Sequence, residues 1–397
     1  MSARDGADRI AGFTESVIRE MTRLADTHGA VNLAQGFPDF PAPDELKAAA
    51  IEAIAADRNQ YSITWGARDL RAAVAARYRQ DGWPELDPES EITITCGSTE
   101  AMASAFLALV DRGSEVILFE PLYENYGPDA ILAESSVRAV TLHPPDWRFD
   151  PDELRAAVTP RTRAIILNTP HNPTGKVFDA EELATIARLC VEHDLLAFTD
   201  EIYERITYDG ASHRFLALQP GMGQRTVTIS ALSKTYSVTG WRVGWAIAAP
   251  PLTDALRKVH DFLSVAAPTP LQAAGVVALG LPESFYERVR AEYRERRDRI
   301  MATLRAAAFD AAPPRGAYYV MADISRHRDG LGLADDVAFC RALAVEHGVA
   351  AVPGSSFFSH PEPGAHLARF AFAKRLDTID AAGERLLTLG RRLGLAR

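Results

Sequence analysis

Lys234 stands in a run rich in hydroxyls and glycines, Ser230-Ala231-Leu232-Ser233-Lys234-Thr235-Tyr236-Ser237-Val238-Thr239-Gly240-Trp241-Arg242-Val243-Gly244, with an arginine eight residues further on. A lysine held out of full solvation can carry a neutral, nucleophilic amine and form an imine with a carbonyl. The planar guanidinium of Arg242 can then grip a phosphate through two parallel hydrogen bonds, a geometry lysine lacks. Gly97-Ser98-Thr99-Glu100 is a second anion-friendly stretch. Glycine permits close backbone approach, and the free N–H groups of a following helix attract negative charge. Read alone, Ser or Thr in that place is more often a helix cap. Arg369 is a lone cation in the apolar stretch Ala368–Phe372. Buried and unpaired it would be costly, so it needs an anionic partner, either a protein carboxylate or a ligand.

Other segments are less specific by themselves. Asn168-Thr169-Pro170-His171-Asn172-Pro173-Thr174-Gly175 is rigid because of its prolines and glycine, and His171 reads as a loop histidine that nothing orients. Asp200 ends an apolar run, as a helix cap or facing a buried cation, with Tyr203 one helical turn on. Glu201 between them reads as structural. Tyr123 in Glu120–Tyr126 would ordinarily be core packing. Gly36, in the turn-rich stretch Asn32–Pro41, could let backbone approach a ligand, and Tyr61 in Asn59–Gly66 could be a surface tyrosine.

The elements that would position these residues follow from the apolar pattern. Expected strands are Ile92–Cys96, Glu115–Phe119, Val137–Leu142, Thr162–Leu167, Leu195–Asp200, Thr226–Ser230 and Gly244–Ala248, with helices such as Thr99–Asp111 and Ala180–His193 between them. Near-continuous apolar strands separated by helices predict an α/β fold, a mainly parallel central sheet flanked by helices. Chemistry then gathers at the loops after the strands' carboxyl ends. Beyond Pro282 a long charged helix, Ser284–Ala308, precedes a smaller α+β pattern. Its expected strands are Tyr318–Asp323, Val349–Val352 and Leu367–Phe372, and its helices Ala334–His347 and Asp377–Leu393. The mixed charges of Glu292–Arg299 predict a solvated helix face. We expect an N-terminal arm over 1–45, a large domain over 46–282 and a small domain over 283–397.

Composition narrows the class. The chain has 397 residues, 47% of them hydrophobic, ample for a large core. A net charge of −10 and the lack of a domain-sized basic stripe argue against a nucleic-acid partner. The Met1–Asp5 stretch is charged and does not read as a signal peptide, and no run approaches the ~18 apolar residues of a membrane span. Cys96, Cys190 and Cys340 are widely separated, without CxxC spacing, and read as buried packing thiols rather than disulfides or metal ligands. A cytoplasmic enzyme without a metal is the expectation.

The segment around Lys234 resembles the lysine signature of the class I aminotransferases of pyridoxal-5′-phosphate (PLP) fold type I. One position departs, because Ala231 stands where the family usually has Ser or Gly. The resemblance runs from about Arg9 to Leu393 and includes Asn32–Phe40, Asn59–Tyr61, Asn168–Gly175 and Thr239–Trp241; it is strongest to the kynurenine, glutamine and methionine aminotransferase branch. It implies that Lys234 binds PLP as an imine and later moves the substrate's Cα proton. By the same resemblance Ser98, Thr99, Ser233 and Arg242 bind the phosphate, and Tyr123 stacks on the ring. Asp200 pairs with the pyridine nitrogen, and Asn172 and Tyr203 meet the phenolic oxygen. Gly36, Asn172, Arg369 and Ile18 would contact substrate, Arg369 through its α-carboxylate. Tyr61 would reach the neighbouring subunit's cofactor phosphate in a homodimer. The implied reaction moves an amino group from a neutral medium or large amino acid, such as methionine, glutamine, an aromatic residue or kynurenine, to a 2-oxo acid. That substrate class rests on Ile18, Thr99, Tyr123 and Val265-Ala266 bordering the side-chain pocket, none of them cationic. A PLP β-lyase, and aminotransfer on aspartate or succinyldiaminopimelate, are the alternatives; a non-catalytic PLP-binding regulator is disfavoured by the complete set of residues.

Overall fold

The computed structural model describes residues 6–11, 13 and 15–396, so the Met1–Asp5 stretch lies outside the described residues. Seven strands form the large sheet: β1 Ile92–Thr95, β2 Glu115–Glu120, β3 Ser136–Thr141, β4 Thr162–Asn168, β5 Leu196–Asp200, β6 Thr226–Ala231 and β7 Gly244–Ile247. Their spatial order is β1-β7-β6-β5-β4-β2-β3, with every neighbouring pair parallel except the two made by β7. Alternate residues of β2 supply both faces: Val116 and Leu118 pack on one side with Phe106 and Phe198, Ile117 and Phe119 on the other with Ile165 and Leu167. Such two-sided apolar strands need helices on both faces. Only β3, at the edge, is largely half-exposed.

A second sheet of four antiparallel strands has the order β10-β11-β9-β8, where β8 is Asp310–Ala311, β9 Tyr319–Asp323, β10 Val352–Pro353 and β11 Leu367–Ala371. Val31–Asn32, from the N-terminal part, pairs in parallel with Val349–Ala350, which ties both ends of the chain to this smaller unit. The expected strand Val349–Val352 is therefore two short ones. Val349 faces Val31, whereas Val352 faces Arg369, so the chain changes sheets at Ala351. The long helix runs Glu283–Ala306, but its Glu292–Arg299 stretch is not wholly solvated. Tyr293 and Arg297 are buried, the arginine paired with Asp209 and Asp298, because this face packs on Phe40, Tyr208 and Tyr318 rather than on water.

The antiparallel course of β7 matters to the site. Thr95 at the end of β1 and Ala231 at the end of β6 both pair with Gly244 at the start of β7. The turns carrying Ser98, Lys234 and Arg242 therefore converge on one edge of the sheet. Gly244 allows this, since a Cβ there would lie 2.6 Å from the Gly97 carbonyl carbon and 2.8 Å from the Ser98 nitrogen. Those neighbours are backbone and cannot step aside. Gly244→Ala should cost about 1–3 kcal/mol of stability by overpacking, measurable as a lower denaturant midpoint with an unchanged slope; an unaltered midpoint would contradict this packing.

Candidate active site

One cavity opens where the strand ends of the large sheet meet the small unit, and all but one of the expected site residues line it. Ser98 and Thr99 follow β1, in the first turn of helix Gly97–Leu109, which starts two residues earlier than the pattern suggested. Tyr123 follows β2, Asn172 follows β4, Asp200 ends β5, and Ser233 and Lys234 follow β6. Arg242 precedes β7, while Arg369 comes from β11, with Gly36 and Ile18 from the N-terminal part. Tyr61 is the exception: it is 83% exposed and lies outside this wall. Val265-Ala266 does not border the chain's own cavity either.

Lys234 Nζ donates to the Gly36 carbonyl at 3.1 Å. Burial lowers its pKa to about 8, helped by Arg242 and Arg369 and opposed by Asp200, so a neutral amine is accessible near neutral pH. Arg242 has left-handed backbone, φ 54°, and its guanidinium lies against Gly97, where a Cβ would be 2.2 Å from Nη2. Any side chain at Gly97 would displace the arginine. Ser233 Oγ is buried and finds no hydrogen-bond partner among the described residues. Such an orphan hydroxyl beside Arg242 and a helix N-terminus suits a phosphate's oxygens. Ala231, buried at the end of β6, offers no hydroxyl; Ser230 points instead toward Glu204, at 3.5 Å.

Asp200 accepts from the Tyr126 hydroxyl at 2.7 Å. Burial pushes its carboxyl up to about 6, against the lowering effect of that hydrogen bond. Tyr126 lines the cavity yet was passed over in the sequence, although it lies in the same segment as Tyr123. Nothing in residue spacing says that its hydroxyl reaches across to β5. Tyr203 meets Tyr319 hydroxyl to hydroxyl at 2.9 Å, and Tyr319 too lines the cavity without a signal in the sequence. A Cβ at Gly36 would lie 2.0 Å from the Tyr319 hydroxyl, which explains the glycine.

Arg369 is 1% exposed, and its described hydrogen-bond partners are neutral: Asn172 Oδ1 at 2.9 Å and the Ala34 carbonyl at 2.6 Å. Its Nε has no partner, and its guanidinium lies over the Tyr319 ring at 4.4 Å. A buried arginine so arranged is built to receive an anion. His171, by contrast, is buried against Thr174 at 2.8 Å, and burial lowers its pKa to about 3; it is a packing residue outside the wall. Glu201 is buried against His213 at 2.5 Å. Cys190 and Cys340 are buried, whereas Cys96, at the end of β1, is only half-buried. Ile18, Thr99 and Tyr123 line the cavity as expected and none is cationic, but a cation absent from that expected set, Arg19, also lines it beside Ile18 and Glu124.

A sheet edge that gathers an amine, a buried carboxylate, a buried arginine and an arginine beside a helix N-terminus can hold an anionic carbonyl compound. Residues 28–385 match the model of the aminotransferase class I and II family, and the chain belongs to that family, which is PLP-dependent. It is 42% identical to the probable N-succinyldiaminopimelate aminotransferase of Mycobacterium tuberculosis over 97% of this chain and 98% of that one. The solved structure of that enzyme superposes with a TM-score of 0.93, covering 97% of this chain and 100% of the other. Methionine aminotransferase of Escherichia coli is 37% identical over 94% of this chain and 96% of that protein. Human kynurenine–oxoglutarate transaminase 1 is 36% identical over 96% and 97%.

The Tyr126 contact generates a test independent of turnover. Tyr126→Phe removes the hydrogen bond that favours the ionised carboxylate, so the Asp200 titration should move upward from about 6. Carbon-13 NMR of labelled aspartate carboxyls in the protein without cofactor reads this directly; a downward or absent shift would remove Tyr126 from that role.

Proposed function

We propose that this chain is a PLP-dependent aminotransferase working through the residues assembled above, carried chiefly by the convergence of Lys234, Asp200 and Arg369 on one cavity. Bound PLP supplies an electron sink that stabilises negative charge at the substrate's Cα. Arg242, Ser98, Thr99 and Ser233 hold its phosphate, and Tyr123 covers the ring. Asp200, ionised and aimed by Tyr126, keeps the pyridine nitrogen protonated. The amide of Asn172 and the hydroxyl of Tyr203 serve the phenolic oxygen. Arg369 takes the substrate's α-carboxylate, with Asn172 and the Gly36 backbone fixing its orientation. Lys234 Nζ, once free, is the base that removes the Cα proton and the acid that returns it. Two such half-reactions carry an amino group from a donor amino acid to a 2-oxo acid. The uncharged walls at Ile18, Thr99 and Tyr123 leave room next to Cα for a neutral medium or large side chain, as in methionine, glutamine, an aromatic residue or kynurenine.

We further propose a homodimer, with domains divided at 45/46 and 282/283 and with Tyr61 acting on the partner subunit's site. The segment around Tyr61 is pinned to two helices, Pro250–Leu263 and Thr269–Leu279. Ser62 N donates to Thr269, Gln272 Nε2 to Ser62, and His260 Nε2 meets the Thr64 carbonyl at 2.7 Å. That pinned surface leaves Tyr61 83% and Phe262 90% exposed, with Leu263 and Val265 also open. Apolar groups so placed favour association. Three free cysteines fit a reducing, cytoplasmic compartment; among the described residues no helix is long and apolar enough to cross a membrane.

Two outcomes check this reading. Protein loaded with PLP and reduced with borohydride should carry the adduct on Lys234 by peptide mapping, and capture of the cofactor should quicken as pH rises through about 8, where the amine loses its proton. An adduct on another lysine would refute the assignment. In sedimentation equilibrium the protein should be a dimer, and Phe262→Glu should weaken it at least tenfold; a fully active monomer would overturn the shared site.

A further inference from the structure

Each cation at the heart of the cavity has a task under the proposed function: Lys234 the carbonyl, Arg242 the phosphate, Arg369 the α-carboxylate. Arg19 has none. It sits in the first turn of helix Val17–His28, and it borders the cavity together with Ile18 and the N-cap residue Ser16. It is exposed, and among the described residues its guanidinium makes no hydrogen bond or ion pair. Glu15 feels its charge but is itself held by both outer nitrogens of Arg23. The Arg19 backbone N–H is already capped by Ser16 Oγ, so the helix end adds field rather than a free donor there. The other charged group on this wall, Glu124, accepts from the Ser16 hydroxyl at 2.5 Å. The cavity that holds Arg369 thus offers uncharged walls at Ile18, Thr99 and Tyr123 and, next to Ile18, an unengaged cation.

We propose that Arg19 is a specificity-determining residue that makes this cavity favour amino acids and 2-oxo acids whose side chain ends in a carboxylate over neutral isosteres. This rests on the aminotransferase reading and refines its side-chain preference: the uncharged walls admit neutral side chains, and Arg19 adds a modest advantage for those of the same length that end in a carboxylate. The contact is solvent-accessible, so its effect is selective rather than absolute. An exposed ion pair gives a factor of about five, and salt should shrink it. Glu124 opposes the same anion, so the two residues act with opposite sign.

The holoenzyme tests this with isosteric pairs, glutamate against glutamine and 2-aminoadipate against its side-chain amide. The ratio of kcat/KM, acid over amide, should fall about fivefold in Arg19→Gln, recover in part in Arg19→Lys, and rise in Glu124→Gln. Dissociation constants of two unreactive probes, adipate and its monoamide, should change in the same directions without any turnover. Unchanged ratios and unchanged probe affinities in Arg19→Gln would overturn the role of Arg19 and leave the aminotransferase assignment standing. Failure of the wild-type holoenzyme to transfer an amino group from any of the four amino acids, while still binding the probes, would overturn the assignment and this inference with it.

Discussion

Positive charge gathered in a partly buried place is the constraint around which this molecule is organised. Lys234, Arg242 and Arg369 converge on one cavity, and Asp200 is the buried carboxylate on its wall. Burying cations without counter-charges is costly, and the chain tolerates it by lending them neutral oxygens: Gly36 to Lys234, Thr239 and Cys96 carbonyls to Arg242, Asn172 and Ala34 to Arg369. Carbonyl oxygens solvate a cation without neutralising it. The site therefore keeps an affinity for anions, while burial, with a smaller contribution from the neighbouring arginines, lowers the amine's pKa into a useful range.

Close approach is what lets that arrangement exist. Gly97, Gly244 and Gly36 each stand where a Cβ would fall within 3 Å of a neighbouring atom, and those neighbours belong to Arg242, the Gly97–Ser98 backbone and Tyr319. Three elements thus meet at distances no side chain would permit. The reversed strand β7 contributes as much as the glycines, since a parallel strand in its place would carry Arg242 to the opposite edge of the sheet.

Much of this was legible beforehand, for a physical reason. Strands buried on both faces write near-continuous apolar runs, and the half-exposed edge strand β3 still carries Val137 and Val140, so all seven large-sheet strands match their expected bounds to within a residue or two. The rule that chemistry follows strand ends then placed the key side chains. What stayed hidden depends on contacts between distant segments. Tyr126 reads as a core aromatic until β5 brings Asp200 to its hydroxyl, and Tyr319 until the second sheet sets it beside Tyr203. The split at Ala351 was invisible because both pieces are apolar and only their partners differ. Arg19 carries no signal of its own in the sequence, because its neighbours say nothing about which residues will border a cavity.

Distance from the reacting atoms separates two kinds of residue here. The inner set is locked: Asp200, Asn172 and Ser233 are buried at or just after strand ends and Arg369 is buried in the middle of β11, so their geometry is decided by the fold itself. The outer set, Ile18, Arg19 and Glu124, comes from a helix start and a loop and stays partly open to solvent. A locked inner set suits chemistry that is the same for every substrate, which needs groups preorganised with little freedom. A looser outer rim suits discrimination among side chains, where a single exposed contact changes a preference by a modest factor without disturbing the reaction. Two solved relatives whose names point to different amino acids superpose on this chain with TM-scores of 0.93 and 0.92, which is compatible with a fold that sets the reaction and leaves side-chain choice to the rim.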